Sequence, residues 1–243
     1  MTNSSRIAKI SLLIFGLLVL ASASWAQKYP PAAEKIAQAY GIDSFGQIDA
    51  VRSTFKIDFP GRKVAQSWIW EPKADRVTYE GKYKDGNPVK VTYVRSQLTS
   101  QPEETNRSKF QQPSVLAVAS LPCLLGQQRQ GRRYWHAQTA DRRGSARRVV
   151  VTYPAQGGGY TPGNTWEMYV GPDNRVQQLT WRLGPGAHSI VSVVNSKWQD
   201  YRKAGPIVVS LDHRGTGDDK PLRIFFTDVA VKLAGSDTWV NAQ

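Results

Sequence analysis

The chain has 243 residues and a formal net charge of +13, from 32 Lys and Arg against 19 Asp and Glu. Such a balance favours a polyanionic partner, but part of the charge comes from an unusual segment described below. Cys123 is the single cysteine, which excludes an internal disulfide and a zinc site built from cysteine clusters.

Residues 1–26 are typical of a cleavable secretion signal. Arg6 and Lys9 precede an apolar run at 10–20, and small residues follow it. The run is shorter than the about 20 residues that span a membrane, and an uncleaved N-terminal anchor is the alternative. We therefore expect an exported protein of the periplasm, with a single β-rich domain at 27–243 and no transmembrane segment after signal removal.

A short helix opens the predicted domain. Two prolines precede Ala32–Tyr40, and Gly41 follows as a helix stop. Ile36 and Tyr40 lie four residues apart, so the helix packs through a narrow stripe.

The period then changes from helical to two, which indicates strands. Val51, Phe55, Ile57 and Phe59 alternate with polar residues. Further alternating runs at 64–70, 77–79 and 89–93 are separated by turns at Pro60-Gly61, Pro72–Asp75 and Asp85-Gly86.

The last hundred residues continue this pattern between glycine-rich turns. Strands are predicted at Arg147–Tyr153, Thr165–Val170, Arg175–Leu183, Ser189–Trp198, Pro206–Asp212 and Leu222–Lys232, with a turn at Gly215–Asp219. The chain as a whole is therefore predicted to have about ten strands and one or two helices. Alternation with one polar face favours antiparallel sheet over βαβ units, so the chain is predicted to be mostly β.

Residues 111–144 do not share this pattern. The segment has no clean period, holds Cys123 and is rich in Gln and Arg. A long loop is one interpretation, although structureless loops of this length are uncommon in compact domains. We favour the hypothesis that it is translated out of frame, because plausible codons read one nucleotide later give an aromatic, cysteine-free stretch. Resequencing codons 111–144 tests this, and a clean in-frame read contradicts it.

Catalytic and metal-binding patterns are weak. No two of His136, His188 and His213 have metal-ligand spacing. His213, between Asp212 and Arg214, is interpreted as part of a polar strand end. A hydrolase site there would need a nearby serine or water-positioning carboxylate, and the sequence does not show one. Asp212, Asp218 and Asp219 fit no calcium loop and are interpreted as a solvated turn. We expect no enzyme activity, no metal and no cofactor.

Aromatic residues are the class in greatest excess, with 8 Trp and 10 Tyr. Trp68 and Trp70 share one face of a predicted strand, and Trp166 and Met168 share another. Ordinary core packing is the alternative for any single tryptophan. Together they predict one wide aromatic surface that few helices can cover, and therefore a space for an apolar guest.

The start of the domain resembles the LolA family of periplasmic lipoprotein carriers. The resemblance lies in the order of the helix and three segments after it, IDAVRSTFKIDF (48–59), SWIWEPKADRVTYEG (67–81) and KDGNPV (84–89). The chain also resembles a group of uncharacterised exported bacterial proteins. The shared stretches are 151–154, 158–163 and 226–232, together with YWLL and PFH, which appear when 111–144 is read in the shifted frame. The resemblance implies a large antiparallel curled sheet, an incomplete barrel packed on one or a few helices. It also implies a cavity for acyl chains, and the chain shows no match to the carrier's ligand-releasing charged residue.

The sequence thus predicts a non-enzymatic periplasmic binding or carrier protein for a lipid, lipoprotein or other hydrophobic ligand. An envelope interaction module with a filled core is the alternative. Polyanion binding through Arg147 and Arg148 stays open, but no specific nucleic acid is expected, and the oligomeric state is unassigned. The candidate ligand-binding residues are Phe55, Ile57, Trp68, Trp70, Tyr93, Trp166, Met168 and Trp181.

Overall fold

The computed structural model describes residues 31–82, 86–94, 136–143, 146–152, 163–184 and 191–243, with the backbone alone for 136–143. Ala32–Gln243 form one compact unit. The predicted signal at 1–26 and the domain start at 27 lie outside the described residues, as do 111–135 and His188. Within the described residues, no helix is both long and apolar enough to cross a membrane.

One α-helix, one 3₁₀ helix and twelve strands make up the described secondary structure. Helix α1 spans Pro31–Ala39, and a 3₁₀ helix follows at Ile42–Gln47. The strands are β1 Ile48–Phe59, β2 Arg62–Glu71, β3 Arg76–Lys82, β4 Pro88–Val94, β5 His136–Arg143, β6 Ala146–Thr152, β7 Thr165–Val170, β8 Val176–Arg182, β9 Val193–Ala204, β10 Ile207–Gly217, β11 Lys220–Leu233 and β12 Trp239–Asn241.

All of these strands belong to one antiparallel sheet in the order β4-β3-β2-β1-β11-β10-β9-β8-β7-β6-β5, and β12 also pairs with β11. In the described part of the chain, β4 and β5 are the two edges and do not pair with each other. The predicted mostly-β class and the single large antiparallel sheet are confirmed. The sheet is not closed into a barrel.

The hairpin between β10 and β11 corrects a predicted turn. Instead of Gly215–Asp219, the turn consists of Asp218 and Asp219, with φ of 44° and 62°. Gly217 and Lys220 pair across it, so β10 ends five residues later than predicted, at Gly217 instead of Asp212. Aspartate tolerates left-handed backbone better than most residues, which is why a two-residue turn forms here without glycine in the turn itself.

Single aspartates also interrupt two strands inside the sheet. Asp200 in β9 and Asp228 in β11 have φ of 51° and 56°, and the β1–β11 register shifts between Arg52 and Thr54. The shift at Asp228 is a bulge, which bends a strand and raises its twist, whereas the β9–β10 register is unbroken on both sides of Asp200. The pairing of β10 with β11 ends at Asp212, and β12 pairs with β11 farther along at Ala230–Lys232.

Helix α1 packs beside the β9–β10 turn. Ile36 and Tyr40 are fully buried, which confirms the predicted stripe. Gly41 ends the helix with φ of 91°, and a Cβ atom there would lie 2.3 Å from the Pro206 carbonyl oxygen. The Val208 N–H donates to the Tyr40 carbonyl oxygen at 3.1 Å. The helix end is therefore fixed to the turn through close backbone contact.

The end of the anomalous segment is not a loop. His136–Arg143 form β5, which pairs with β6, so a regular ladder reaches back into the segment that has no clean sequence period. The reading-frame hypothesis concerns the whole of 111–144 and stays a prediction.

Candidate functional site

The register of β1 to β4 places the N-terminal candidates on one face of the sheet. Trp68 lies opposite Ser53 on one side and Tyr79 on the other. Trp70 lies two residues along β2 from Trp68, and directly opposed residues share a face. Tyr93 lies opposite Val77, which itself pairs with Trp70.

The same face continues through the middle of the sheet. Phe55 lies opposite Phe226 and Ile57 lies opposite Ile224. Ile224 in turn pairs with His213, which pairs with Trp198. The face therefore crosses β1, β11, β10 and β9 without a break.

The C-terminal candidates lie on this face as well. Trp181 pairs with Trp166 in β7 and with Val194 in β9, and Val194 lies four residues along β9 from Trp198. Met168 lies two residues from Trp166. We call this continuous surface the aromatic face; it carries all of the sequence candidates, Phe55, Ile57, Trp68, Trp70, Tyr93, Trp166, Met168 and Trp181.

The aromatic face is buried within the chain. Trp68 and Trp166 are each 1% exposed and Met168 is 0% exposed, while Ile57 and Trp181 are half-buried. The 3₁₀ helix supplies part of the cover, since the Phe45 and Trp70 ring centroids lie 5.6 Å apart. The sequence candidates are thus brought together on one face, with the most solvent contact at Ile57 and Trp181.

The opposite face is polar and carries ion pairs. The Asp212 carboxylate accepts hydrogen bonds at 2.7 Å from both Arg214 and Arg223. Burial acts to raise the pKa of Asp212, but these two hydrogen bonds outweigh it and hold the pKa below its ordinary value. Successive strand residues point to opposite faces, so Asp212 and His213 cannot act as a catalytic pair.

His213 corrects the interpretation of a polar strand end. It is 1% exposed and stacks on Trp198, with ring centroids 4.3 Å apart and planes at 11°. Phe226 meets it edge-on at 5.7 Å. Burial lowers the pKa of His213 to about 3, against smaller opposing effects from Asp212 and the Ser210 backbone. The imidazole is therefore neutral at pH 7.

Several indole N–H groups of the aromatic face lack acceptors. Within the described parts of the chain, the buried Nε1 atoms of Trp68, Trp166, Trp181 and Trp198 make no hydrogen bond. Indole is a donor only, and a buried donor without an acceptor costs about 1–3 kcal/mol. The face thus offers indole hydrogen-bond donors among mostly aromatic and aliphatic side chains.

Two tyrosines close one end of the sheet near helix α1. The Val176 N–H donates to the Tyr40 hydroxyl at 3.2 Å, and the Tyr201 hydroxyl donates to the Val176 carbonyl at 2.5 Å. The hydroxyls are 2.8 Å apart, so Tyr40 donates to Tyr201 and the cycle closes. Burial raises the pKa of Tyr40 to about 12 and raises that of Tyr201 further.

One cation lies at the rim of the aromatic face. Arg147 pairs with Val170 across β6 and β7, on the same face as Met168. It donates to Asn174 at 3.2 Å, and its buried Nε atom makes no hydrogen bond within the described residues. From the sequence, polyanion binding is left open through Arg147, Arg148 and the loop lysines.

Sequence reasoning missed His213 and the tyrosine cycle as parts of the site. The parity of β10 could have found His213, since it lies four residues from Val209 and both are buried. No sequence signal joins Tyr40 to Tyr201, because 161 residues separate them.

Comparison with solved structures gives matches of low sequence identity and low TM-score. A DUF1329 family protein from Desulfovibrio piger aligns with 86% of this chain and 96% of its own, at 12% identity and a TM-score of 0.42. A structure of the Pseudomonas aeruginosa MucA/MucB complex aligns with 88% of this chain and 98% of its own, at 11% identity and a TM-score of 0.25.

A structure of MucB in complex with MucA(peri) gives the same values, at 11% identity and a TM-score of 0.25 over 88% of this chain and 98% of that one. No family model matches the chain, and no curated protein sequence is similar to it.

Proposed function

We propose that this protein is a non-catalytic binding module of the bacterial envelope, exported to the periplasm, that takes a hydrophobic ligand on its aromatic face. The ligand is a lipid or the acyl group of a lipoprotein. The observation that supports this most is the continuity of the aromatic face, which runs across ten of the sheet's strands, from Tyr93 in β4 to Val149 in β6.

The energetics favour an acyl chain as the guest. Each buried methylene contributes about 0.8 kcal/mol, so a chain of about twelve carbons gains on the order of 10 kcal/mol before ordering costs. Trp181 and Ile57 are half-buried, so they are the candidate residues that an acyl chain entering from solvent contacts first.

Lipid extraction tests the proposal directly. The exported protein is purified, extracted with organic solvent and analysed by mass spectrometry, and the stripped protein is titrated with a fluorescent fatty acid. We expect a co-purifying lipid and saturable probe binding. A protein that carries no lipid and ignores the probe contradicts the proposal.

A variant pair locates the site. Trp181→Ala removes a half-buried ring from the aromatic face and is expected to weaken probe binding at least severalfold, because contact area is lost. Trp239→Ala is the control, since Trp239 lies under Arg52, 4.7 Å from its guanidinium carbon, on the other face. Equal probe affinity in both variants contradicts binding on the aromatic face.

An envelope interaction module with a filled core is the second candidate. It is favoured by the near-complete burial of Trp68, Trp166 and Met168 in the chain alone, which is how an ordinary core looks. This candidate predicts a lipid-free protein that excludes the probe, so the same extraction and titration separate the two.

A further inference from the structure

The aromatic face holds two buried donors side by side. Trp166 and Trp181 are directly opposed in β7 and β8, and their ring centroids lie 5.3 Å apart with planes at 35°. The Nε1 atom of each is buried and makes no hydrogen bond within the described residues. Trp166 is 1% exposed as a whole.

Within the described residues, no side chain accepts a hydrogen bond from either Nε1 atom. The buried Asn164, two residues before Trp166, accepts instead from the Gly184 N–H at 2.7 Å. Val151 lies opposite Trp166 and Val194 lies opposite Trp181. The nearest polar pair on these strands, Thr180 with Asn195, is directed to the other face and forms its own 2.7 Å hydrogen bond. Two desolvated donors beside valines are therefore satisfied best by an oxygen that a ligand brings.

The charge on the face decides which oxygen fits. An ionised carboxylate buried without a cation is costly. Arg147 is a cation on this face in β6, and it pairs with Val170. Val170 is four residues from Trp166 along β7, or about 13 Å at about 3.3 Å per residue. A neutral acceptor suits the tryptophan pair better than an anion.

We propose that Trp166 and Trp181 form a subsite for the carbonyl oxygen of an acyl ester, whose hydrocarbon chain lies along the aromatic face. This inference rests on the proposed function and names the chemical class of its ligand. The indole N–H groups donate to the carbonyl, and Met168 and Leu179, which pair beside them, contact the chain. The subsite selects an ester over a hydrocarbon or ether of equal length.

A matched ligand pair tests the proposal. Binding of 1-monopalmitoylglycerol is compared with that of 1-O-hexadecylglycerol, which keeps the head group and chain length but lacks the carbonyl. Affinities are measured by displacement of a fluorescent fatty acid from the stripped protein. We expect the ester to bind about tenfold more tightly than the ether, because its carbonyl gains two hydrogen bonds that the ether cannot accept.

Two substitutions assign the preference to the subsite. Trp166→Phe and Trp181→Phe each remove an N–H group while keeping an aromatic ring, and each is expected to lower the ester-to-ether affinity ratio several-fold. Trp239→Phe, the same change on the other face, is expected to keep the wild-type ratio. Circular dichroism and thermal unfolding establish that all three variants fold, and ether binding gives a reference within each protein.

The outcomes separate the two levels of the proposal. If the wild type binds ester and ether equally well, the ester subsite is overturned while the proposed hydrophobic binding stands. If neither glycerolipid binds and no lipid co-purifies, both are overturned. If the ratio is unchanged in both phenylalanine variants, the preference arises elsewhere and the subsite is overturned.

An acyl ester reaches the site either as a free glycerolipid or as the acyl group of a lipoprotein. A diacylglyceryl-cysteine peptide is therefore used as a second competitor, beside the monoacylglycerol. Tighter binding of the peptide, sensitive to Trp166→Phe, identifies the acylated protein as the source; tighter binding of the glycerolipid identifies the free lipid.

Discussion

His213 is neutral in the fold because burial removes it from water, and this makes stability depend on pH. Its pKa is about 3 in the folded chain against an ordinary value of 6.5. Between these values the unfolded chain binds a proton that the folded chain does not. The contribution of neutral His213 to the free energy of unfolding is therefore complete above pH 6.5, and it declines as the pH falls below the pKa of the unfolded chain.

We expect the free energy of unfolding to fall by about 2 kcal/mol from His213 alone between pH 7 and pH 5. Denaturant titrations at the two pH values measure this. His213→Phe keeps the stacking on Trp198 and is expected to lose most of the pH dependence. The lowered pKa values of Asp212 and Glu167 act at lower pH, so they leave this window clear. An equal slope in both proteins contradicts the assignment.

Gly41 is required both for its positive φ and for its close approach to Pro206, and comparison with Gly61 distinguishes the two effects. Gly41 and Gly61 both have positive φ, of 91° and 74°, but a Cβ atom at Gly61 meets nothing within 4 Å. Alanine in a left-handed conformation costs about 1–2 kcal/mol. We expect Gly61→Ala to lose that amount and Gly41→Ala to lose more, because its methyl group meets the Pro206 carbonyl. Equal losses, measured by denaturant unfolding, contradict the close approach.

The tyrosine cycle joins three elements of the fold. Tyr40→Phe leaves the Val176 N–H without its partner, and Tyr201→Phe does the same for the Val176 carbonyl, so each is expected to cost about 1–3 kcal/mol. The double variant is expected to lose less than the sum, because both hydroxyls belong to one network. Additive losses in denaturant unfolding show that the two hydroxyls act separately.

The tyrosine cycle also makes the stability of the fold decrease at high pH. The pKa of Tyr40 is about 12 in the fold against an ordinary 10, so its contribution to stability is complete below pH 10. It is lost as the pH rises from 10 through 12. Tyr40→Phe is expected to be less sensitive to this rise than the wild type.

Elements with strict alternation were predictable from the sequence. The faces of β1 and β2 follow from period two, and the helix and its glycine stop follow from Pro30-Pro31 and Gly41. The length of β10 was not predictable, because Gly215 and Thr216 resemble turn residues, and the one-residue shift of β11 at Asp228 appears only in its pairing with β1. The aromatic face was predictable as pairs on single strands, but its continuity depends on the β1–β11 pairing, which local sequence does not encode.

At the scale of the whole molecule, one sheet carries the tryptophans of both halves. Trp68 in β2 and Trp166 in β7 lie on the same face, and no hinge in the described strands separates them. We expect tryptophan fluorescence and far-UV circular dichroism to give coincident unfolding transitions. Two separated transitions instead show that β1–β4 and β5–β8 unfold as independent units.

The pairing of β1 with β11 has a consequence for synthesis. Ile48–Phe59 and Lys220–Leu233 are partners that leave the ribosome more than 160 residues apart, so the first meander is made long before the neighbour of its inner strand exists. Until then β1 presents an open edge, the kind of surface on which other chains can assemble. Closing so distant a pair is slow, and a nascent chain of this kind gains from being held unfolded until its C-terminal strands are complete.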